Sequence, residues 1–436
     1  MSERVFTTEL PEKTEGTEVL LIGWIHQIRD LGKIKFWLLR DREGLAQIVL
    51  ASPKKHPLWE VISEIKHEYI VSITGLVRHN EKAPNGVEIE FESCEIIARA
   101  TSPLPFSVVE EKTSANFDTR LKYRYLDIRA PSVRAIFKVR AACVQGAREW
   151  FLKNHFTEIH TPKIISAGAE GGATMFPLYY FGKEAYLAQS PQFYKQVGIQ
   201  AFERVFEIAP FFRAEKSRTR RHLSESWGID VEVAFADSEE IMKIEEGIIT
   251  SIYKYVKEHC ENELLLHNIT DLKIPQSPFP KITFEEAMEI AKSKGIEVSL
   301  DEDLSADAEK AVREEFDTHF FITEFPLSCV TFYYGPHESK PGKTHKLDLL
   351  APGAEGLELS SGGKRITDPE MLIERAKEKG ISPKSLGWYL EMFKVGGIPP
   401  HAGFGMGLDR IVMTLLNLSI VQEAVMFPRT VDILEP

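Results

Sequence analysis

Positive charge is in short supply in this 436-residue chain: 53 Lys and Arg stand against 65 Asp and Glu, a net charge of −12. That balance excludes a nucleic-acid coat held by bulk electrostatics, although a local basic strip remains possible. Cysteine is scarcer still. Cys94, Cys143, Cys260 and Cys329 lie far apart, so no C-x-x-C metal or redox pair exists. The expectation is a thiol-reduced protein with no zinc held by cysteines. No apolar run approaches the ~18 residues of a membrane span. The opening MSERVFTTELPEK lacks the apolar centre of a secretion signal. A cytoplasmic protein with no membrane partner is therefore expected. There is no internal repeat, and the glycine-rich GFGMGLDR segment has neither the spacing of a G-x-G-x-x-G opening a βαβ unit nor the Gly-Lys-Ser/Thr of a phosphate loop. No Ser-His or Cys-His nucleophile arrangement is evident either.

What is present is the material of a folded protein. Hydrophobic residues make up 43% and charged residues 27%, which excludes wholesale disorder, and the length suits two to four domains. Residues 1–100 read as short β-branched or aromatic strands: TEVLLIGWI, IKFWLLRD and GLAQIVL, then YIVSITGLV and VEIEFESCEIIA. Between the third and fourth, LWEVISEIK carries Leu58, Val61, Ile62 and Ile65 at helical spacing. Three strands, a helix and two strands is the order of an OB-fold barrel, with an SH3-like barrel as competitor.

Residues 101–130, with Pro103 and Pro105 and no period, read as a linker. From 131 a helical stripe of Ile136, Val139, Cys143, Ala147 and Trp150 begins a second region. Its strand-like segments are TEIHTPKII, EAYLAQS, RVFEIAPFFRAE, WGIDVEVAFAD, HFFITEF, VTFYYG, KLDLL and GLELSSG, with helices at 238–258, 368–378 and 408–416. Strand runs flanked by helix runs, without βαβ alternation, argue for an α+β fold built on an antiparallel sheet. The expected domains are an OB-fold at 1–104, a linker at 105–130 and a catalytic domain at 131–436.

Four segments carry chemistry. In RVFEIAPFFRAEKSRTRRHLSESWGIDVEVAF (204–235) two apolar strands flank a loop where Arg213, Lys216, Arg218, Arg220 and Arg221 face only Glu215. Arg clamps carboxylates and phosphates bidentately, whereas the bland reading is a solvated hairpin tip. GFGMGLDRIVMTLL (403–416) puts three glycines at a strand end and Arg410 in the first turn of an apolar helix. GLELSSGGKR (356–365) offers Glu358, serines and Arg365, a set suited to Mg²⁺ and a charged small molecule, though alone it reads as a strand end with a turn. AEGGATMF precedes AQSPQFYKQ, where Gln192 and Lys195 share a helical face.

Taken together, FRAE…RHL, GMGLDR and the Pro162-containing HTP segment resemble motifs 2, 3 and 1 of the class II aminoacyl-tRNA synthetases. GWIHQIRDLGKIKFWLLRD, DTRLKYRYLDIR, IHTPKI, QSPQFYKQ, ELSSGGKR and PPHAGFGMGLDR resemble the archaeal-type aspartyl-tRNA synthetases, from about residue 17 to 436. The resemblance implies ATP bent over the sheet, with Arg213 on the α-phosphate and the substrate carboxylate, Glu215 on the adenine side, Ala214 among the ATP-binding residues, and Arg221, His222 and Leu223 along the nucleotide. Arg410 would stack on adenine and reach the γ-phosphate, beside Gly407, Leu408 and Asp409. Glu358 and Ser361 would hold Mg²⁺; strand alternation does not place them side by side, so that pairing rests on the resemblance. Lys195 and Arg365 would grip the aspartate side chain, with Gln192 and Glu170 at its backbone end, Asp230 at its ammonium group and Ser361 nearby. Two converging cations would prefer aspartate to asparagine, since a neutral amide would leave them unpaired.

The implied reaction has two steps. The aspartate α-carboxylate attacks the α-phosphorus of ATP, releasing pyrophosphate, and the terminal ribose hydroxyl of tRNA then takes the acyl group; alignment and charge neutralisation suffice. Two departures stand out. Asp348 and Glu358 are ten positions apart, wider than the usual aspartyl pattern. Ser226 replaces an adenine-stacking Phe, leaving that part to His222 or Trp227. In the barrel the resemblance assigns base stacking to Phe36, the middle anticodon base to Gln47 and a phosphate or base to Arg29. His26 and Pro84 match the relatives that charge both tRNA(Asp) and tRNA(Asn), which would call for an amidotransferase acting on the mischarged product. A homodimer through helix 131–154 and the strand ending at Pro162 is also expected. The alternatives are an asparaginyl enzyme, an aspartyl enzyme confined to tRNA(Asp), a stand-alone amide-forming paralogue and a non-catalytic tRNA-binding paralogue. Lys195 in QFYK argues against the first, the OB segment against the third, and Arg213, Glu358 and Arg410 against the last.

Overall fold

The computed structural model describes residues 3–101, 103–109, 115–166, 175–214, 221–299, 302–353 and 357–436. The chain divides into two units, Met1–Pro131 and Ser132–Pro436.

In the first unit the alternating runs become β1 (Glu18–Asp30), β2 (Ile34–Arg40), β3 (Leu45–Ala51), β4 (Ile70–His79) and β5 (Val87–Ala98), with α1 (Trp59–Glu64) between β3 and β4. They close into a barrel in the order β1-β2-β3-β5-β4, β3 and β5 pairing in parallel. That order, with its helix after β3, is the OB arrangement rather than the SH3-like one. Alternation drives Leu21, Ile25, Trp37, Leu39, Ile48, Val71, Ile73 and Ile89 into the interior. The pairing of β1 with β2 slips by one residue between Ile25 and Gln27. His26 is the extra residue of this bulge, and it is buried. Its Nδ1 meets Arg40 Nη1 at 2.9 Å, and Arg40 grips both oxygens of Glu68 at 2.8 and 2.9 Å. Arg129 donates to Glu68 Oε2 at 2.7 Å. Burial alone would raise the Glu68 carboxyl, but the two guanidiniums hold it below its ordinary value.

The stretch read as linker is partly built. It carries α2 (Phe117–Lys122), capped by Asn116 Oδ1 accepting from Thr119 N at 2.9 Å, and α3 (Arg124–Asp127). Arg124, itself buried, and Arg120 both donate to Asp127.

The second unit follows, its first helix α4 (Pro131–Lys153) starting at the boundary. Then come β6 (Thr157–Glu158), β7 (Ile164–Ile165), β8 (Pro177–Tyr180), β9 (Lys183–Leu187), α5 (Gln192–Phe202), β10 (Arg204–Phe212), β11 (Glu225–Ala234), α6 (Ser238–His259) and α7 (Glu261–Leu266). After these lie β12 (Lys281–Thr283), α8 (Phe284–Ser293), α9 (Ala306–Arg313), β13 (Phe320–Thr323), β14 (Lys346–Leu350), β15 (Glu358–Lys364), α10 (Pro369–Glu378), α11 (Gly387–Val395), β16 (His401–Gly407) and α12 (Leu408–Leu415). Eight strands form one sheet in the order β12-β13-β14-β15-β16-β11-β10-β6, antiparallel except at its two ends, and β7-β9-β8 form a small second sheet. The helices α4, α6 and α12 supply the core against the main sheet through Val139, Cys143, Phe151, Ile248, Ile252 and Val412.

Two expectations change here. The stripe on α4 that suggested a partner surface is consumed within the chain: Ile136, Val139, Cys143 and Ala147 are buried, and Trp150 lies against Gly247, where an added Cβ would stand 2.6 Å from the indole. VTFYYG is not a strand. Its Tyr333 and Tyr334 rings lie 5.2 and 4.8 Å from the Arg365 guanidinium, so the aromatics serve as a cover for that cation.

Candidate functional site

The pocket face of the main sheet frames a cavity of about 380 Å³. Asp230 lines it and Glu232 lies buried beneath: two apart on β11, they point the same way, and Lys195 Nζ reaches both. From α5, Lys195 Nζ donates to Asp230 Oδ1 at 3.1 Å and to the carbonyl of Phe404 at 2.9 Å, and lies 3.3 Å from Glu232 Oε2. Arg365 Nε reaches Glu232 Oε1 at 3.0 Å. Both cations are buried, so each is matched to a carboxylate before any substrate enters. This corrects the expectation that a neutral ligand would strand two unpaired charges. What stays unmatched is narrower: Arg365 Nη1 and Gln192 Nε2 are buried without a hydrogen-bond partner.

Electrostatics follow from that pairing. Burial raises Glu232, but Arg365, Lys195 and His401 overcome it and hold the carboxyl below its ordinary value. Burial raises Asp230, and Lys195 only partly offsets it. The glycines of β16 make room for these carboxylates. A Cβ on Gly403 would fall 2.1 Å from Glu232 Oε2 and 2.3 Å from the carbonyl of Val231. Gly403, Gly405 and Gly407 thus lie within a strand flanked by β11 and β15, not in a turn beyond it.

The other end of the cavity depends on a slip in β15. Leu349 pairs with Ser360 but Leu350 pairs with Glu358, leaving Leu359 as an extra residue. Leu359 borders the cavity but joins the hydrophobic core, and Ser360 is buried, its Oγ donating to Glu245 Oε1 at 2.8 Å. Glu358 and Ser361 consequently face the cavity together, which simple alternation forbids. Arg410 Nη1 donates to the carbonyl of Glu358 at 2.8 Å and lies 3.7 Å from its Oε1. Opposite Ser361 across the ladder is Asp348, buried and 2.9 Å from Lys346 Nζ, with Oδ1 unpartnered. Burial pushes its carboxyl up to about 7. The donor set of Glu358 and Ser361, with Asp348 behind, is all oxygen and suits a hard cation such as Mg²⁺.

Along the cavity wall stand Arg213, Arg221, His222 and Leu223, with Ser226 and Trp227. Arg213 is exposed, its backbone N–H fixed on the Ser224 carbonyl at 3.0 Å. Ala214 is half-buried beside it. Asp409 reaches the cavity, but both its oxygens are engaged. Oδ1 takes Arg140 Nη1 at 2.5 Å and Oδ2 takes the Trp227 N–H at 2.9 Å, a brace between α4, β11 and α12. Leu408 departs from expectation: its side chain is in the hydrophobic core, while Gly407 lines the cavity. Glu170 and Glu215 lie outside the described residues.

In the barrel, Arg29 pairs with Phe36 across β1 and β2, and Gln47 pairs with Leu38 across β2 and β3. Phe36 is half-buried, and Gln47 donates its amide to Glu88 Oε2 at 2.9 Å. Pro84 opens a tight turn before β5. His26 is buried against Arg40.

Sequence reasoning missed Glu232, His401 and the two tyrosines. Glu232 had a signal, being two residues beyond Asp230 on an alternating strand. His401 had none: it is buried at the start of β16, 2.6 Å from Gln196 Nε2 and 3.9 Å from Glu232 Oε1.

Comparison with known proteins sharpens the picture. Residues 116–431 match the family described as tRNA synthetases class II (D, K and N), and residues 19–97 match the OB-fold nucleic acid binding domain. The aspartate–tRNA(Asp/Asn) ligase of Archaeoglobus fulgidus is 47% identical, covering 98% of each chain. The aspartate–tRNA(Asp) ligase of Pyrococcus horikoshii is 41% identical, covering 97% of each. Among solved structures, asparaginyl-tRNA synthetase from Pyrococcus horikoshii complexed with asparaginyl-adenylate superposes with a TM-score of 0.93 at 37% identity over the whole of both chains.

Proposed function

The chain belongs to the class II tRNA synthetases of the D, K and N group, and we propose that it is an aspartate–tRNA ligase that charges both tRNA(Asp) and tRNA(Asn). The observation that carries the choice of aspartate is Arg365 Nη1, a buried guanidinium donor beside Lys195 with no acceptor of its own. A side-chain carboxylate satisfies it with an ion pair as well as a hydrogen bond, where a neutral amide oxygen offers the hydrogen bond alone. Gln192 Nε2, the second unmatched donor, suits the α-carboxylate end, and Asp230 the ammonium group.

ATP takes the wall of Arg213, Arg221, His222 and Arg410, with Ala214, Leu223 and Gly407 as lining. Arg213 neutralises the α-phosphate while the substrate carboxylate attacks, a role supported by its position on the cavity wall. Glu358 and Ser361 would hold Mg²⁺, which would supply charge neutralisation at the phosphates. In the barrel, Phe36 stacks an anticodon base, Gln47 and Arg29 supply edge or phosphate contacts, and His26 and Pro84 leave the third anticodon position tolerant. The domain reading is a barrel to 104, a hinge to 130 and a catalytic domain beyond. The reading also carries a homodimer, resting now on family resemblance and not on the α4 stripe. With it go cytoplasmic work beside its tRNAs and a tRNA-dependent amidotransferase acting on the tRNA(Asn) product.

ATP–pyrophosphate exchange tests the amino acid. Aspartate should support exchange and asparagine should not; exchange driven by asparagine would overturn the reading. Transcripts differing only at the third anticodon base test tolerance. A preference above about a hundredfold, ~2.7 kcal/mol, would confine the enzyme to one tRNA.

A further inference from the structure

Glu309 belongs to α9, outside every segment that the sequence marked as chemical. Ser305 caps this helix, accepting from Ala308 N at 3.2 Å. Glu309 Oε2 accepts from two guanidiniums, Arg221 Nη1 at 3.1 Å and Arg313 Nη1 at 3.1 Å. The two arginines differ in kind. Arg313 is wholly buried, its carbonyl accepting from Gly353 N at 3.1 Å in the connection that leads from β14 to Glu358. Arg221 lines the nucleotide wall of the cavity.

One carboxylate oxygen therefore joins an anchored arginine to a cavity arginine. We infer that Glu309 is a positioning residue for the nucleotide: it holds Arg221 at the cavity wall, where Arg221 meets the phosphates of ATP. The inference rests on the proposed nucleotide role of Arg221 and adds the means by which that side chain is set. Arg221 follows a run of sequence rich in Lys and Arg, and its guanidinium has several rotatable bonds behind it, so an unheld side chain would lose rotamer entropy on each binding event. Glu309 takes part of that cost in folding. The carboxylate also lies within electrostatic range of Glu358 and Arg410, so its charge is part of the field at the phosphate end of the site. Burial raises its carboxyl, Glu358 raises it further, and the arginines pull it back. It remains near enough to the cavity to matter and is already committed to its two partners.

The test is a double-mutant cycle read in ATP–pyrophosphate exchange with aspartate. Arg221→Ala alone should raise the KM for ATP. Glu309→Gln alone should also raise it, by about tenfold (~1.4 kcal/mol), with the KM for aspartate unchanged. Arg221→Ala/Glu309→Gln should be no worse than Arg221→Ala, because Glu309 acts through Arg221. Glu309→Asp, keeping the charge on a shorter stem, should recover part of the loss. If Arg221→Ala raises the KM for ATP and Glu309→Gln does not, the positioning role is overturned while the nucleotide reading stands. If Arg221→Ala itself leaves that KM unchanged, both fail. Full additivity in the double variant overturns the inference, as does an equal rise in both KM values with a fall in thermal stability. Should Glu309→Gln not fold, Glu309→Asp is read against the same criteria.

Discussion

Each unit of this protein buries a cluster of ions, and the two clusters are finished to different degrees. In the barrel, Glu68 has both oxygens taken by Arg40 and one shared with Arg129, while Arg40 also meets His26. In the catalytic unit, Lys195, Arg365 and Glu232 are buried and Asp230 is half-buried, two cations against two carboxylates, yet Arg365 Nη1, Gln192 Nε2 and, further along, Asp348 Oδ1 have no partner. Desolvating a polar atom without a partner costs about 1–3 kcal/mol. A closed cluster returns its desolvation to the fold. An open one keeps it in reserve for a ligand that completes the bonds, which is how a site can bind tightly without being held together by what it binds.

The most severe way to break the contrast is to remove a cation from the open cluster. Lys195→Leu should cost aspartate activation about 3–5 kcal/mol, the scale for losing one partner of a buried pair. Exchange kinetics at varied aspartate concentration would show it, and undiminished activation would mean that Lys195 is structural only. The mirror experiment is Glu68→Gln, which leaves Arg40 buried with a neutral partner. The expected loss is about 3 kcal/mol of barrel stability, measured by denaturant unfolding, with adenylate formation retained.

Acid separates the units further. Burial drives His319, which stacks on Phe279, down to about 4 from an ordinary 6.5. The unfolded chain then binds a proton that the folded one refuses. Stability from this group is complete above pH 6.5 and is lost as the pH falls towards 4, by about 3 kcal/mol in all. Asp348, raised to about 7, works with the opposite sign over an overlapping range, so the measurement is the difference in slope between the parent and His319→Phe. Glu68, held below its ordinary value, loses its contribution only below pH 4.5. The smallest effect belongs to the barrel surface. Phe36→Ala should weaken tRNA charging by about 1–3 kcal/mol, the worth of one base stacked on an aromatic, and spare pyrophosphate exchange. Equal losses in both assays would point to misfolding.

The comparison also marks where the sequence was readable. The barrel strands follow period two with turn residues between them, and each alternating run became a strand within a few residues of its expected ends. The cavity-lining residues found from motifs, Lys195, Arg213, Asp230, Glu358, Arg365 and Arg410, do converge. What stayed hidden depends on register and on distance along the chain. Nothing local tells that the stripe on α4 is covered by α6, that Asp409 is spoken for by Arg140, 269 positions away, or that Glu309 meets Arg221. VTFYYG has strand composition, but its tyrosines are drawn to Arg365, and a buried guanidinium outweighs a preference worth a fraction of a kcal/mol per residue.

The slip at Leu359 gives β15 two phases. Upstream of it, a side chain's direction is counted from Glu358; downstream, the count restarts. Chemistry at the phosphate end is therefore encoded in strand length as much as in residue identity. Deleting Leu359 alters no functional side chain and removes the slip, leaving Glu358 and Ser361 two apart in a regular strand and still on one face, whereas one residue inserted between Ser360 and Ser361 turns them to opposite faces and splits the oxygen pair. Replacing Leu359 by another apolar residue preserves the phase. A single-residue insertion between Ser360 and Ser361 would thus be a sharper probe of this strand than a scan of alanines, since one added residue reverses the orientation of every side chain on one side of it.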